Sequence, residues 1–159
     1  VDTGEDIPAE LFEKMVKARN FLAASMVTRQ LVFSTTDLLL HTSYTPADGD
    51  IVAWARKAIA PFATTPLPDD YAMIASFNHL FADAVGYAAA YYSYGWAEAL
   101  DADAFSLFKE RGIFDRATGE AFRTTILAKG DSEDPADLFR SFRGRDPNPA
   151  AMLARLGLG

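Results

Sequence analysis

The sequence predicts an all-α fold, on three observations: apolar residues recur at helical spacing, proline and glycine punctuate helix ends, and no strand-length alternation is flanked by hairpin turns. Pro8 suits a first turn, and Leu11, Met15 and Leu22 follow near a 3.6-residue period, predicting a first helix over residues 9–24. A second, over 28–41, carries Leu31, Phe33, Leu38 and Leu39 on more than one face and reads as a core helix. Asp50 is placed to cap a helix that starts at Ile51 and ends near Pro61. Three prolines then rule out regular structure over residues 61–70, because proline lacks the amide hydrogen and restrains the residue before it.

Residues 71–81 predict a short helix, 82–86 an interruption, and 87–110 the most distinctive segment of the chain. Three helices follow: 115–129 stopped by Gly130, 135–143 stopped by Gly144, and 149–156 stopped by Gly157. Proline at or near the start and glycine past the end is the asymmetry of real helix termini. The 159 residues, half of them apolar, fit one domain spanning 1–159. Its 12 Phe and 6 Tyr separate it from disordered chains.

A net charge of −7 and an isoelectric point near 4.7 oppose nucleic-acid binding, which needs a basic footprint. The longest uncharged stretch, residues 84–97, is too short to span a bilayer, so no membrane association is expected. The absence of cysteine excludes disulfides and thiolate metal sites, and a cytoplasmic location is the simpler expectation. The first residue is Val1 rather than Met, so a preceding segment is expected.

Helical zinc peptidases present two histidines one turn apart with a glutamate between them. The two histidines here, His41 and His79, are far apart, so no metal ligand set is expected in this chain. His41, near a helix end, reads as a core or dipole-satisfying histidine without a catalytic role. No nucleophile elbow or phosphate loop occurs. Asp101 and Asp103, two residues apart, fall on different helix faces and read as a solvated face rather than an acid/base pair. Arg140, Arg143 and Arg145 have an anion-binding reading, but acidic partners are plentiful and the structural reading is preferred.

The unusual feature is Tyr87, Tyr91 and Tyr94, whose spacings of four and three align them on one helical stripe, with Tyr92 beside them. Two readings stand. The stripe is core, each hydroxyl finding a buried partner, or it lines a cleft where phenols donate to a developing oxyanion. His79 would add a donor to the second.

Phe77-Asn78-His79-Leu80-Phe81-Ala82 and Gly86-Tyr87-Ala88-Ala89-Ala90-Tyr91-Tyr92-Ser93-Tyr94 resemble the C-terminal signature of the thimet oligopeptidase family, and of its oligopeptidase and peptidyl-dipeptidase members in particular. The likeness continues through Trp96-Ala97-Glu98, Asp103-Ala104-Phe105, Gly112-Ile113-Phe114 and Phe142-Arg143-Gly144-Arg145-Asp146-Pro147, covering nearly the whole chain. It implies the C-terminal, helical part of a zinc metallopeptidase that hydrolyses short peptides, with zinc and its general base supplied by the upstream remainder of the polypeptide. Residue by residue, it implies that Tyr94 stabilises the oxyanion, that Tyr87 and His79 hold the peptide backbone, and that Tyr91 supports that wall or touches substrate. The isolated piece is then expected to be inactive and to expose apolar surface through which it self-associates. Asp83-Ala84-Val85-Gly86 stands where the family usually has a glycine pair, and Ala90 replaces a common glycine, which implies a stiffer or differently shaped loop. The alternatives are a non-catalytic helical peptide-binding module and a protein-interaction module.

Overall fold

The computed structural model describes residues 4–158. Among the described residues every regular element is helical, as expected. Seven α-helices form in chain order: α1 (Ala9–Ala18), α2 (Ala23–Thr42), α3 (Ile51–Ile59), α4 (Ser93–Arg111), α5 (Arg116–Phe122), α6 (Pro135–Arg143) and α7 (Ala150–Leu156).

The predicted first helix breaks early. It ends at Ala18, and Leu22 adopts a left-handed backbone (φ 58°) before α2 starts at Ala23. Helical periodicity carried through this turn because Leu22 falls on the apolar spacing. The second helix is correspondingly longer than predicted at both ends.

The caps read from sequence hold. The Asp50 carboxylate accepts the Ala53 amide at 2.8 Å at the start of α3, satisfying a donor that the helix leaves orphaned. Asp115 and Asp134 do the same for Thr118 and Ala136. Gly144 and Gly157 close α6 and α7 in the left-handed conformation that residues with a Cβ avoid. The helix predicted over 115–129 is α5 continued by a π-turn, Arg123–Leu127.

The proline loop after α3 lacks long regular structure, as predicted, and is tied back by Arg56, whose guanidinium donates to the Pro68 and Tyr71 carbonyls at 2.6 and 3.1 Å. The short helix predicted over 71–81 is instead two 3-10 turns, Met73–Ser76 and Asn78–Phe81. Ile74, Phe77 and Leu80 of these turns all face inward.

Two apolar clusters result. The first joins Ala55, Ile74, Phe77 and Leu80 with Phe33 and Leu40 of α2 and Trp54 of α3. The second joins Ala104 and Leu107 of α4 with Phe139 and Phe142 of α6, and Phe122 closes it edge-on to Phe142 at 5.2 Å. Helix α7 lies along α4.

Asp103 is corrected by the structure. It is buried rather than part of a solvated face (1 % exposed), and its carboxylate accepts from Arg145 Nη1 and the Asn148 amide, both at 2.7 Å. Arg143 approaches from α6 at 3.4 Å. Asp101, by contrast, is exposed and pairs with Arg155 of α7. The two acids do occupy different faces, but one of those faces is interior. The arginine cluster is structural, as expected: Arg143 and Arg145 serve Asp103, and Arg140 bridges Asp137 and Asp146.

Candidate functional site, an aromatic wall

The segment between Leu80 and α4 reverses direction within a few residues. The Asp83 carboxylate draws the turn together by accepting the amides of Val85, at 2.8 Å, and Gly86. These bonds, that to Gly86 first, hold the Asp83 carboxyl below its ordinary range. Gly86 suits the closeness of the approach, since a Cβ there would meet both carboxylate oxygens at 3.0 Å and the Asp83 side chain would have to give way. The loop is thus drawn closed by a side chain.

Beyond this turn the tyrosine stripe departs from its predicted geometry. Residues 87–92 are turns, and α4 begins only at Ser93. Tyr87, Tyr91 and Tyr94 therefore share no helix face, yet their rings still converge. Tyr87 stacks on Tyr94 with centroids 5.6 Å apart and 13° between planes, and Tyr91 lies 5.1 Å from Tyr94. His79, carried on the second 3-10 turn, sits edge-on to Tyr87 and tilted against Tyr91, 5.3 Å from each. All four residues singled out from sequence come together, and Tyr92, outside the wall, lines a groove described below that Tyr94 also borders.

The four differ in their setting. Tyr91 is half-buried and packs edge-on to Phe33 and Phe77 at 5.6 and 5.2 Å, which joins the wall to the first apolar cluster. Burial pushes its phenol up. Tyr87 and Tyr94 keep 39 % and 43 % of their surface exposed, so the core reading of the stripe holds for Tyr91 alone. The Tyr94 hydroxyl donates to the Tyr87 hydroxyl at 2.9 Å, and this bond, ahead of desolvation, raises the Tyr94 phenol above the ordinary tyrosine range. Both phenols lie on the open side of a wall whose other side is packed.

Sequence reasoning missed Asp37. It lies in α2, 1 % exposed, and both carboxylate oxygens reach the tyrosine segment: Oδ1 accepts the Ala89 amide at 2.9 Å and Oδ2 the Tyr91 amide at 2.8 Å. His41 stands one turn further on, with Nδ1 2.8 Å from the Asp37 carbonyl oxygen and 3.1 Å from its carboxylate. It is a helix-end histidine, as its position suggested. An acid at helical spacing from a histidine carried no local signal that it serves a loop about fifty residues away.

Beside the wall, α2, α4 and α7 enclose an apolar groove of about 600 Å³ lined by Met26, Leu31, Tyr92, Trp96, Met152 and Leu156 among others. Helix α1 presents Leu11, Phe12, Met15 and Val16, each about half-exposed. Among the described residues no group of three or more His, Cys, Asp or Glu side chains is placed to hold a metal ion, and no helix is long and apolar enough to cross a membrane.

Comparison with known proteins gives a consistent result. The family model described as Peptidase family M3 matches residues 1–158. Oligopeptidase A of Escherichia coli (strain K12) is 45% identical over 161 residues, covering 99% of this chain and 23% of that protein. Probable cytosolic oligopeptidase A of Arabidopsis thaliana is also 45% identical, over 98% of this chain and 23% of its own length. Dipeptidyl carboxypeptidase of Salmonella typhimurium is 34% identical over 99% of this chain and 23% of its length. The chain thus spans just under a quarter of the length of these relatives.

Proposed function

Because this chain belongs to peptidase family M3, we propose that it is the substrate-facing C-terminal part of a zinc-dependent oligopeptidase that hydrolyses short peptides. The observation that carries the reading is the convergence of His79, Tyr87, Tyr91 and Tyr94 into one wall with an open polar side, in a chain that the family matches almost from end to end.

In this reading Tyr94, once its hydroxyl turns from Tyr87 to the substrate, donates to the oxyanion that forms as the peptide carbonyl is attacked, an interaction strengthened where water is excluded. Tyr87 and His79 hold the peptide backbone, and Tyr91 supports them from the packed side. Among the described residues no side-chain group is placed to hold a zinc ion. Zinc, whose role is to polarise the carbonyl and activate water, is assigned to the remainder of a family-length polypeptide. The compartment of the whole polypeptide is taken to be the cytoplasm, as for the probable cytosolic relative of Arabidopsis thaliana. No nucleic-acid or membrane partner is invoked.

The test is cleavage of a quenched fluorescent peptide with chelator and with added zinc, by this chain and by a family-length polypeptide containing it. Cleavage by the long form alone, abolished by chelator and restored by zinc, is expected. Zinc-dependent turnover by this chain would overturn the assignment of the metal elsewhere, and a long form without chelator-sensitive cleavage would overturn the function.

The remainder of the polypeptide is also the proposed partner of the apolar groove and of the exposed face of α1. An isolated chain then covers these surfaces with a second copy. Sedimentation over a hundredfold concentration range is expected to show reversible association, and a single monomeric species throughout would rule it out.

A further inference from the structure

We propose that Asp37 is the positioning residue of the aromatic wall, fixing through two backbone amides where Tyr87, Tyr91 and Tyr94 stand; its consequence for catalysis rests on the peptidase reading above, its geometry does not. A carboxylate taken out of water is costly unless its oxygens are hydrogen-bonded. Asp37 is 1 % exposed, and each oxygen is committed to the tyrosine segment, one to the Ala89 amide and one to the Tyr91 amide. If packing alone mattered at this site, an apolar residue of similar volume would do as well.

The backbone it holds could not hold itself. Between Tyr87 and Tyr91 no helix forms, and Ala89 stands at φ 56°, a left-handed conformation that residues with a Cβ disfavour. Such a conformation persists only where its surroundings over-determine it. Here the left-handed residue turns the amides at 89 and 91 toward one point, the concave donor arrangement that suits an anion. The carboxylate supplies that anion from α2, the helix whose Phe33 also packs against Tyr91. Position and orientation of the wall are thus both referred to α2. Asp37 touches none of the phenol oxygens and acts through the tyrosines.

Asp37→Asn tests this, because the amide keeps the shape while its NH2 faces a backbone N–H, donor against donor. In this chain, ring-labelled tyrosine NMR is expected to show Tyr94 titrating closer to the ordinary tyrosine value as its bond to Tyr87 is lost, with helical circular dichroism unchanged. In a family-length polypeptide, kcat is expected to fall about 10- to 100-fold with little change in KM, the scale of a small misplacement of reacting groups. The same substitution made in a Tyr94→Phe background is expected to cost only about twofold more, since both changes act through one phenol. An unchanged Tyr94 titration, or kinetic losses that simply add, would overturn the proposal. Should Asp37→Asn fail to fold, amide exchange in the unsubstituted chain decides: Ala89 and Tyr91 are expected to exchange at least about tenfold more slowly than unprotected amides, and exchange at the free rate overturns the proposal. A long form that cleaves no peptide would remove the peptidase reading and leave the titration and exchange results to judge Asp37.

Discussion

Replacing Tyr94 with phenylalanine is expected to lower kcat of a family-length polypeptide about 100-fold while KM stays within about threefold, the signature of a donor that acts on the transition state rather than on bound substrate. Phenylalanine keeps the ring that stacks on Tyr87 and leans on Tyr91, so the wall should stand and only the hydroxyl be lost. The direction of the Tyr94 shift adds a second expectation. Its phenol is raised first by the bond to Tyr87, so it stays protonated, and a donor, up to and beyond the ordinary tyrosine range. The rate should therefore not fall on the alkaline side through ionisation of Tyr94 below that range. Steady-state kinetics of the parent and the variant at several pH values read both effects. A variant with unchanged kcat would remove Tyr94 from the chemistry and leave it as a wall residue like Tyr91.

Asp103→Ala is expected to cost about 3 kcal/mol, because it strips the shared acceptor from a buried ion pair rather than from a solvated one. For a chain of this size that is roughly a 10 °C fall in Tm. Three donors lose an acceptor: Arg145, which keeps the Asp146 carbonyl; the Asn148 amide; and, more distantly, Arg143, which keeps Glu110 and Ser106. Asp103 would be raised by burial, but the bonds from Arg145, Asn148 and Arg143 outweigh that and leave its carboxyl below the ordinary range. The sign of the pH dependence follows. A carboxyl lowered by folding contributes stability that is fully present above its unfolded value, about 3.9, and is lost as pH falls through the folded value. Urea melts should show the gap between parent and variant wide at neutral pH and narrowing only below about pH 4. A gap under 1 kcal/mol, or one indifferent to acid, would mean that the arginines find other partners at no cost.

The helix stops were the most legible part of the sequence, because capping is local chemistry. Asp50, Gly144 and Gly157 do what their residue types do anywhere. Elements whose shape depends on distant contacts were less so. The break after Ala18 falls where apolar spacing continues unbroken, and the paired turns over residues 73–81 carry Ile74, Phe77 and Leu80 at spacings of three that a helix would share. For the site, residue spacing and the family resemblance selected the four side chains that meet. The helical stripe offered as the reason was not the device that aligns them, since Tyr87 and Tyr91 precede α4. What aligns them is Asp37, and what locks α4 to the last turns is Asp103. Each is an acid whose burial is decided by partners 40 or more residues away, beyond the reach of any local pattern.

The bond between the two exposed phenols limits what the wall can offer. A tyrosine hydroxyl carries one hydrogen and can accept at its oxygen. Tyr87 and Tyr94 together own two hydrogens, and one of them is spent between the two oxygens. As it stands, the pair is a single-hydrogen device with spare lone pairs: one incoming oxygen can be served, and a second must wait until the phenols part. A ligand that presents two acceptors at once would have to pull the stacked rings out of register, whereas one that presents an acceptor beside a donor would meet the pair as it already is.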